Sequence, residues 1–235
     1  MELNILRLRL NINSVLKPGD AERIRGYLGD LFWENPYVHQ HTAEGRFIYR
    51  YPRVQYKVIG GVCILIGFSE GIHVLKKTFD ELKEINLNGE FKEVFSKGLE
   101  SYAANFALSS NQISYSFLTP WLALNEKNYE KYQKFGTWPE RKKLLEGILV
   151  GNIISMSKSL GYTVPAPIEA NINKLKPVKT SLKGVPMLGF LGTFSVNFEI
   201  PDYWGIGKSV SRGFGTIKRQ NTEDRTQRTK DSGKI

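Results

Sequence analysis

Leu3-Asn-Ile-Leu-Arg-Leu-Arg-Leu-Asn-Ile-Asn13 is the stretch that decides the fold. Leu6, Leu8, Leu10 and Ile12 fall on one face and Arg7, Arg9, Asn11 and Asn13 on the other, which is the period-two pattern of a half-buried strand. The arginine face meets either solvent or a polyanion. Pro18-Gly19-Asp20 then supplies a turn and a helix start, and Ile24, Tyr27, Leu28 and Leu31 follow at helical spacing. Residues 46–51, 54–59 and 62–67 read as strands. Ile72, Leu75, Phe79, Leu82 and Ile85 mark a second amphipathic helix, and a strand near 99–108 completes β-α-β-β-α-β. That order specifies a ferredoxin-like, RNA-recognition-type unit of the α+β class, an antiparallel sheet with both helices on one face.

The remainder repeats the theme in pattern, without repeating the sequence. Residues 112–124 begin as a strand and turn at Pro120. Pro139 opens the longest helix, in which Leu144, Leu145, Ile148, Leu149, Ile153, Met156 and Leu160 recur at three and four. Paired strands at 169–180 and 187–200 follow. The expected organisation is two tandem ferredoxin-like domains, residues 1–110 and 111–217, and a basic tail over 218–235 whose only large apolar residue is the last.

Between the last of those strands and the tail lies Gly205-Ile-Gly-Lys-Ser-Val-Ser-Arg-Gly-Phe-Gly215. Four glycines, two cations and two hydroxyls in eleven residues suit close approach to phosphate, although a plain flexible turn has the same composition. Overall charge separates the two readings. The chain has 33 Lys+Arg against 23 Asp+Glu, a net charge of +10, the footprint of a nucleic-acid binder. Hydrophobic content of 41% excludes global disorder. The N-terminus has no basic-then-apolar leader and no run reaches a membrane span, so the expected location is cytoplasmic, with no membrane partner. Cys63, the single cysteine, lies in Val62-Cys-Ile-Leu-Ile66 and reads as a small buried hydrophobe.

Two of the three histidines form His39-Gln40-His41. In an extended run both imidazoles address one side, and imidazole is the side chain suited to moving protons near neutral pH. Metal-free RNA cleavage needs such groups: a base for the 2′-OH, an acid for the departing 5′ oxygen, and a cation for the phosphorane. A surface pair without duty and a two-ligand metal site are the other readings, and no third ligand adjoins the pair. Tyr37 precedes it, while Arg46, Arg50, Arg53 and Lys57 follow as possible phosphate contacts. Tyr49, Tyr51 and Tyr56 either stack on bases or fill a core. His73 has no polar company and reads as structural. No nucleotide-binding phosphate loop, nucleophile elbow or paired-acid metal motif is present.

Tyr51-Pro-Arg-Val-Gln-Tyr-Lys57, Phe117-Leu-Thr-Pro-Trp-Leu-Ala-Leu-Asn-Glu-Lys-Asn128, Gly189-Phe-Leu-Gly192 and the Gly205–Gly215 stretch, in that order, resemble the CRISPR repeat-processing endoribonucleases. The resemblance covers nearly the whole chain. It implies tandem ferredoxin-like domains and a metal-independent, cofactor-free cut in repeat RNA that leaves a 2′,3′-cyclic or 3′ phosphate and a 5′ hydroxyl. It further implies His41 as the first catalytic choice with His39 as partner, and Tyr37 and Lys57 as the nearest matches to an accessory tyrosine and lysine. Lys208, Ser209, Ser211 and Arg212, with Gly205, Gly207, Gly213 and Gly215, become RNA-binding candidates, joined by Arg50 and Arg53. Implied partners are CRISPR repeat RNA and other CRISPR effector subunits, with the protein a monomer or homodimer. The alternative is a catalytically inactive subunit of the same superfamily that only holds repeat or guide RNA.

Overall fold

A computed structural model describes residues 1–32 and 50–220. β1 (Glu2–Ile12) runs through the middle of the first sheet, antiparallel to β3 (Val62–Phe68) on one side and to β5 (Glu90–Asn105) on the other. β2 (Val54–Ile59) pairs with β3 and β4 (Glu84–Leu87) with β5, giving the order β2-β3-β1-β5-β4. Leu6, Leu8 and Leu10 are buried with Val54, Tyr56, Val58 and Leu65 beneath Ile24 and Leu28 of α1 (Asp20–Leu31) and Val74 and Leu75 of α2 (Gly71–Glu81). Each such leucine removed from water contributes about 1.5–3 kcal/mol, and a one-residue slip would exchange all of them for Arg7 and Arg9.

The second sheet contains β6 (Ala107–Phe117), β7 (Ala170–Leu182), β8 (Val185–Glu199) and β9 (Ile217–Arg219) in the order β7-β8-β6-β9. Counting each half from its own first strand, the first half with its β5 as the fourth, the two sheets share one permutation, that of a split β-α-β unit. α3 (Glu126–Lys134) and α4 (Trp138–Leu160) fill the first crossover. α4 opens with a capping box between Thr137 and Glu140 and buries Leu145, Leu149, Ile153 and Met156. The second crossover has no α-helix; the glycine-rich stretch takes its place, with one 3₁₀ turn at Val210–Arg212.

Several boundaries differ from the sequence reading. The second helix stops at Glu81, not Ile85, because the Lys97 ammonium donates to the carbonyls of Phe79 and Leu82 at its end. Ile85 and Leu87 then alternate as the buried positions of β4. The strand expected at 99–108 runs from 90 to 105. Of the strand expected at 46–51, only Arg50 and Tyr51 are described, and neither is in a strand. The expected tail begins as structure: Lys218 and Arg219 pair through their main chains with Ser116 and Tyr115, which needs no apolar side chain. Residues 221–235 lie outside the described residues. A division at 110 would cut β6, and we propose Phe106, between the two sheets, as the dividing residue.

The halves share a core. Trp204 is fully buried, stacked on Phe68 at 4.3 Å and 5.8 Å from Phe106, and Ile5 and Ile66 of the first sheet, with Tyr51 just before β2, join the cluster built on β6 and β8.

Candidate nucleic-acid interface

Residues 205–215 are a packed wall, not a free loop. Gly205 and Thr216 bridge antiparallel at the mouth of the stretch. The segment after β6 holds it from below: Leu118 donates its amide to Thr216 at 2.7 Å, Gly215 donates to Pro120 at 2.9 Å, and the Thr119 hydroxyl donates to the Gly213 carbonyl at 2.6 Å. Trp121 pairs through its main chain with Phe190 and donates Nε1–H to Asn152 of α4 at 3.2 Å. The four segments quoted for their resemblance to one family thus meet in space.

The glycines are required by this packing. At Gly215, φ is +62° and a Cβ would lie 2.0 Å from the Ile206 carbonyl oxygen; at Gly207, φ is +91° and a Cβ would lie 2.6 Å from Trp121 Nε1. Gly205, Gly213 and Gly215 are buried, as is Ser211. Gly205 and Gly215 already spend their amides inside the protein, on Gln55 and Pro120. Gly205, Gly213 and Gly215 thus serve packing, and the segment is glycine-rich so that it can lie flat, while half-buried Gly207 lines the adjoining cleft.

What the wall presents is charge. A cleft of about 740 Å³ is bounded by Arg50, Tyr51 and Pro52 on one side, by Asn152, Ser155, Lys158 and Ser159 of α4 on a second, and by Gly207–Arg212 on the third. Among the described residues, Arg50, Lys158, Lys208 and Arg212 line it and no aspartate or glutamate does. Lys208 and Arg50 are exposed. Arg212 is tethered from behind by Glu22 of α1 at 3.0 Å, and its charge, added to burial, lowers the pKa of neighbouring Arg25. A second hollow of about 960 Å³, beyond Arg212, is lined by Arg23, Lys179, Lys183, Phe214 and Glu22 among others. Arg212 therefore borders both.

Two of the cations picked from the sequence serve elsewhere. Arg53 donates to the Ser159 carbonyl at 3.0 Å, pairs with Glu70 at 3.5 Å and lies over the Phe68 ring, so it joins α4 to the first sheet. Lys57 is 0% exposed, donating to Gln55 Oε1 at 3.0 Å and Thr216 Oγ1 at 3.2 Å. An amine sealed in this way touches no RNA, which corrects its placement among groups acting on substrate. Tyr51 and Tyr56 belong to the core, not to a stacking platform: Tyr51 Oη donates to the Gly205 carbonyl at 2.7 Å, and burial raises the pKa of both phenols. His73 is exposed on α2, and Cys63 is buried as read. Tyr37, His39, His41, Arg46 and Tyr49 lie outside the described residues. Among the described residues no cluster of metal-ligating side chains occurs and no helix is long and apolar enough to cross a membrane.

The α4 residues Asn152, Ser155, Lys158 and Ser159 were not read from the sequence. Their signal is present in hindsight: Ser155, Lys158 and Ser159 recur at three and four on the polar stripe of a helix whose other stripe is core.

Family models for the Cas6b N-terminal domain and the Cas6b C-terminal domain match residues 1–105 and 107–220. A crystal structure of Cas6b superposes with a TM-score of 0.87 at 37% identity, covering 94% of this chain and 100% of that one. A crystal structure of the CRISPR RNA processing endoribonuclease Cas6b gives 0.75 at 33% identity with the same coverage. An uncharacterized protein of Methanocaldococcus jannaschii is 44% identical over 138 residues, 59% of this chain and 93% of the relative. At 13% identity and a TM-score of 0.59, the type IV Cas6 crRNA endonuclease Csf5 shares the fold.

Proposed function

The chain belongs to the Cas6b family of CRISPR RNA processing endoribonucleases, and from that membership we propose that the cleft between Arg50 and Arg212 binds repeat RNA of a CRISPR precursor transcript and cuts it once. The supporting observation is the lining: among the described residues, four cations and no carboxylate surround a groove of about 740 Å³. A phosphodiester backbone is held by such a surface through charge-assisted bonds, and Arg50 stands in its wall directly after the segment that contains His39 and His41.

In this reading the ribose supplies its own nucleophile. The 2′ oxygen bonds to the adjacent phosphorus as its proton passes to one imidazole. The P–O5′ bond breaks as the other imidazole protonates the leaving oxygen, giving a 2′,3′-cyclic phosphate and a 5′ hydroxyl. His41 and His39 share the proton transfers, Tyr37 orients one of them, and Arg50, Lys158, Lys208 and Arg212 hold the charge that gathers on phosphorus.

The test is a gel assay of repeat RNA in chelator with wild type, His41→Ala, His39→Ala and the double variant, alongside a substrate carrying a 2′-deoxy nucleotide at the cut. Loss of cutting in the double variant and on the deoxy substrate, with binding retained, is expected. Undiminished cutting by the double variant removes both histidines from the mechanism; binding without cutting by wild type leaves an RNA-holding subunit.

A further inference from the structure

β2 turns Val54, Tyr56 and Val58 toward the helices and Gln55 and Lys57 toward the second half of the chain. Gln55 Oε1 accepts two hydrogen bonds, from Lys57 Nζ at 3.0 Å and from the Gly205 amide at 2.9 Å. Thr216 Oγ1 accepts from Lys57 at 3.2 Å and donates onward to the Gly213 carbonyl at 3.0 Å. Gly213 follows Arg212 directly. Lys57 thereby closes a polar ring around the two ends of the glycine-rich wall, and the ring ends one peptide from a cation of the cleft.

Stability alone gives no reason for an amine here. Both of its acceptors are neutral, no carboxylate among the described residues compensates it, and burial lowers its pKa to about 7. A methionine would fill the same space; Gln55 Oε1 would still accept from the Gly205 amide, and the Thr216 hydroxyl would still donate to the Gly213 carbonyl. A residue that a fold retains against its own stability points to function.

We infer that Lys57 is a positioning residue for RNA cleavage, acting through Thr216 and Gln55 to set where the Gly205–Gly215 wall presents Lys208 and Arg212. The cleavage half of this inference rests on the function proposed above; the placement of the wall does not.

The experiment compares wild type, Lys57→Met, Thr216→Val and the double variant by amide hydrogen exchange across residues 205–216, by thermal unfolding, and by single-turnover cleavage of saturating repeat RNA. For Lys57→Met the expectation is exchange at Gly205 and Thr216 faster by about tenfold, an unfolding midpoint equal to or above wild type, and cleavage slower by about tenfold. Thr216→Val should slow cleavage comparably, and the double variant should be within about twofold of the slower single variant, as for two members of one unit. Multiplied defects in the double variant would mean that Lys57 acts by a contact of its own and would overturn the inference, as would unchanged exchange, unchanged cleavage or a lowered midpoint in Lys57→Met. Failure of wild type to cut would refute the proposed cleavage function instead, and exchange would still decide the placement of the wall.

Discussion

Gly215→Ala and Gly184→Ala form a pair that separates backbone strain from packing. Both glycines have positive φ, +62° and +77°, but a Cβ at Gly184 meets nothing within 4 Å, whereas at Gly215 it falls 2.0 Å from the Ile206 carbonyl oxygen. Alanine in the left-handed region costs about 1–2 kcal/mol by itself, and that is the whole effect expected at Gly184, in the β7–β8 turn. At Gly215 the obstacle is backbone, so no rotamer relieves it and the segment must shift. The shift endangers the Gly215 amide bond to Pro120 and the Ile206 amide bond to the Gly215 carbonyl, both 2.9 Å, each of net value about 1 kcal/mol. Gly215→Ala should therefore exceed Gly184→Ala by about 2 kcal/mol or more. In a chain of this size that corresponds to a midpoint lower by roughly 4–8 °C. Urea or thermal unfolding of the two variants measures it. Equal destabilisation would mean that the wall is not packed as described.

Two other outcomes follow from the same geometry. Because burial depresses the folded-state pKa of Lys57 to about 7, the unfolded chain binds more protons between that value and the ordinary lysine range near 10.4. Stability should accordingly gain from Lys57 as pH rises from about 7 to 10, at up to about 1.4 kcal/mol per pH unit; urea midpoints across that range should show the rise in wild type and a diminished one in Lys57→Met. Lys158→Ala and Lys208→Ala remove cations that line the cleft; each should weaken repeat-RNA binding and flatten the log Kd against log salt plot by about 0.7–0.9. Fluorescence anisotropy at several salt concentrations gives both numbers, and a slope unchanged in both variants would place the RNA elsewhere.

Elements whose side chains alternate against one core were legible before any coordinates. β1 is the clearest, since a single core-facing register satisfies Leu6, Leu8 and Leu10, and α4 is equally plain from its long apolar stripe and the Pro139 that opens it. Ile85 reads as helical because its spacing from Leu82 fits a helix, while its alternation with Leu87 fits a strand; the backbone turns extended at Leu82, and Ile85 pairs with Lys92 of β5. Asn88-Gly89, both with positive φ, forms the turn between β4 and β5, and that local hairpin signal was available in the sequence. For the candidate site, charge and composition single out residues 205–215, of which Gly207–Arg212 line the cleft, but not the reason for their glycines, which depends on Ile206, Trp121 and Val210 meeting in space. Lys57 and Arg53 look like phosphate ligands in the sequence because charge is visible there and burial is not.

The aromatic cluster around Trp204 also sets a timetable for synthesis. Phe68 emerges from the ribosome 136 residues ahead of the indole that will cover it, an interval on the order of ten seconds or more at usual translation rates. Throughout it, the nascent first sheet carries Ile5, Ile66 and Phe68 without their indole cover, a sticky surface that a chaperone must shield. Shortened chains that stop before Trp204 keep that surface permanently, and their natural fate is aggregation.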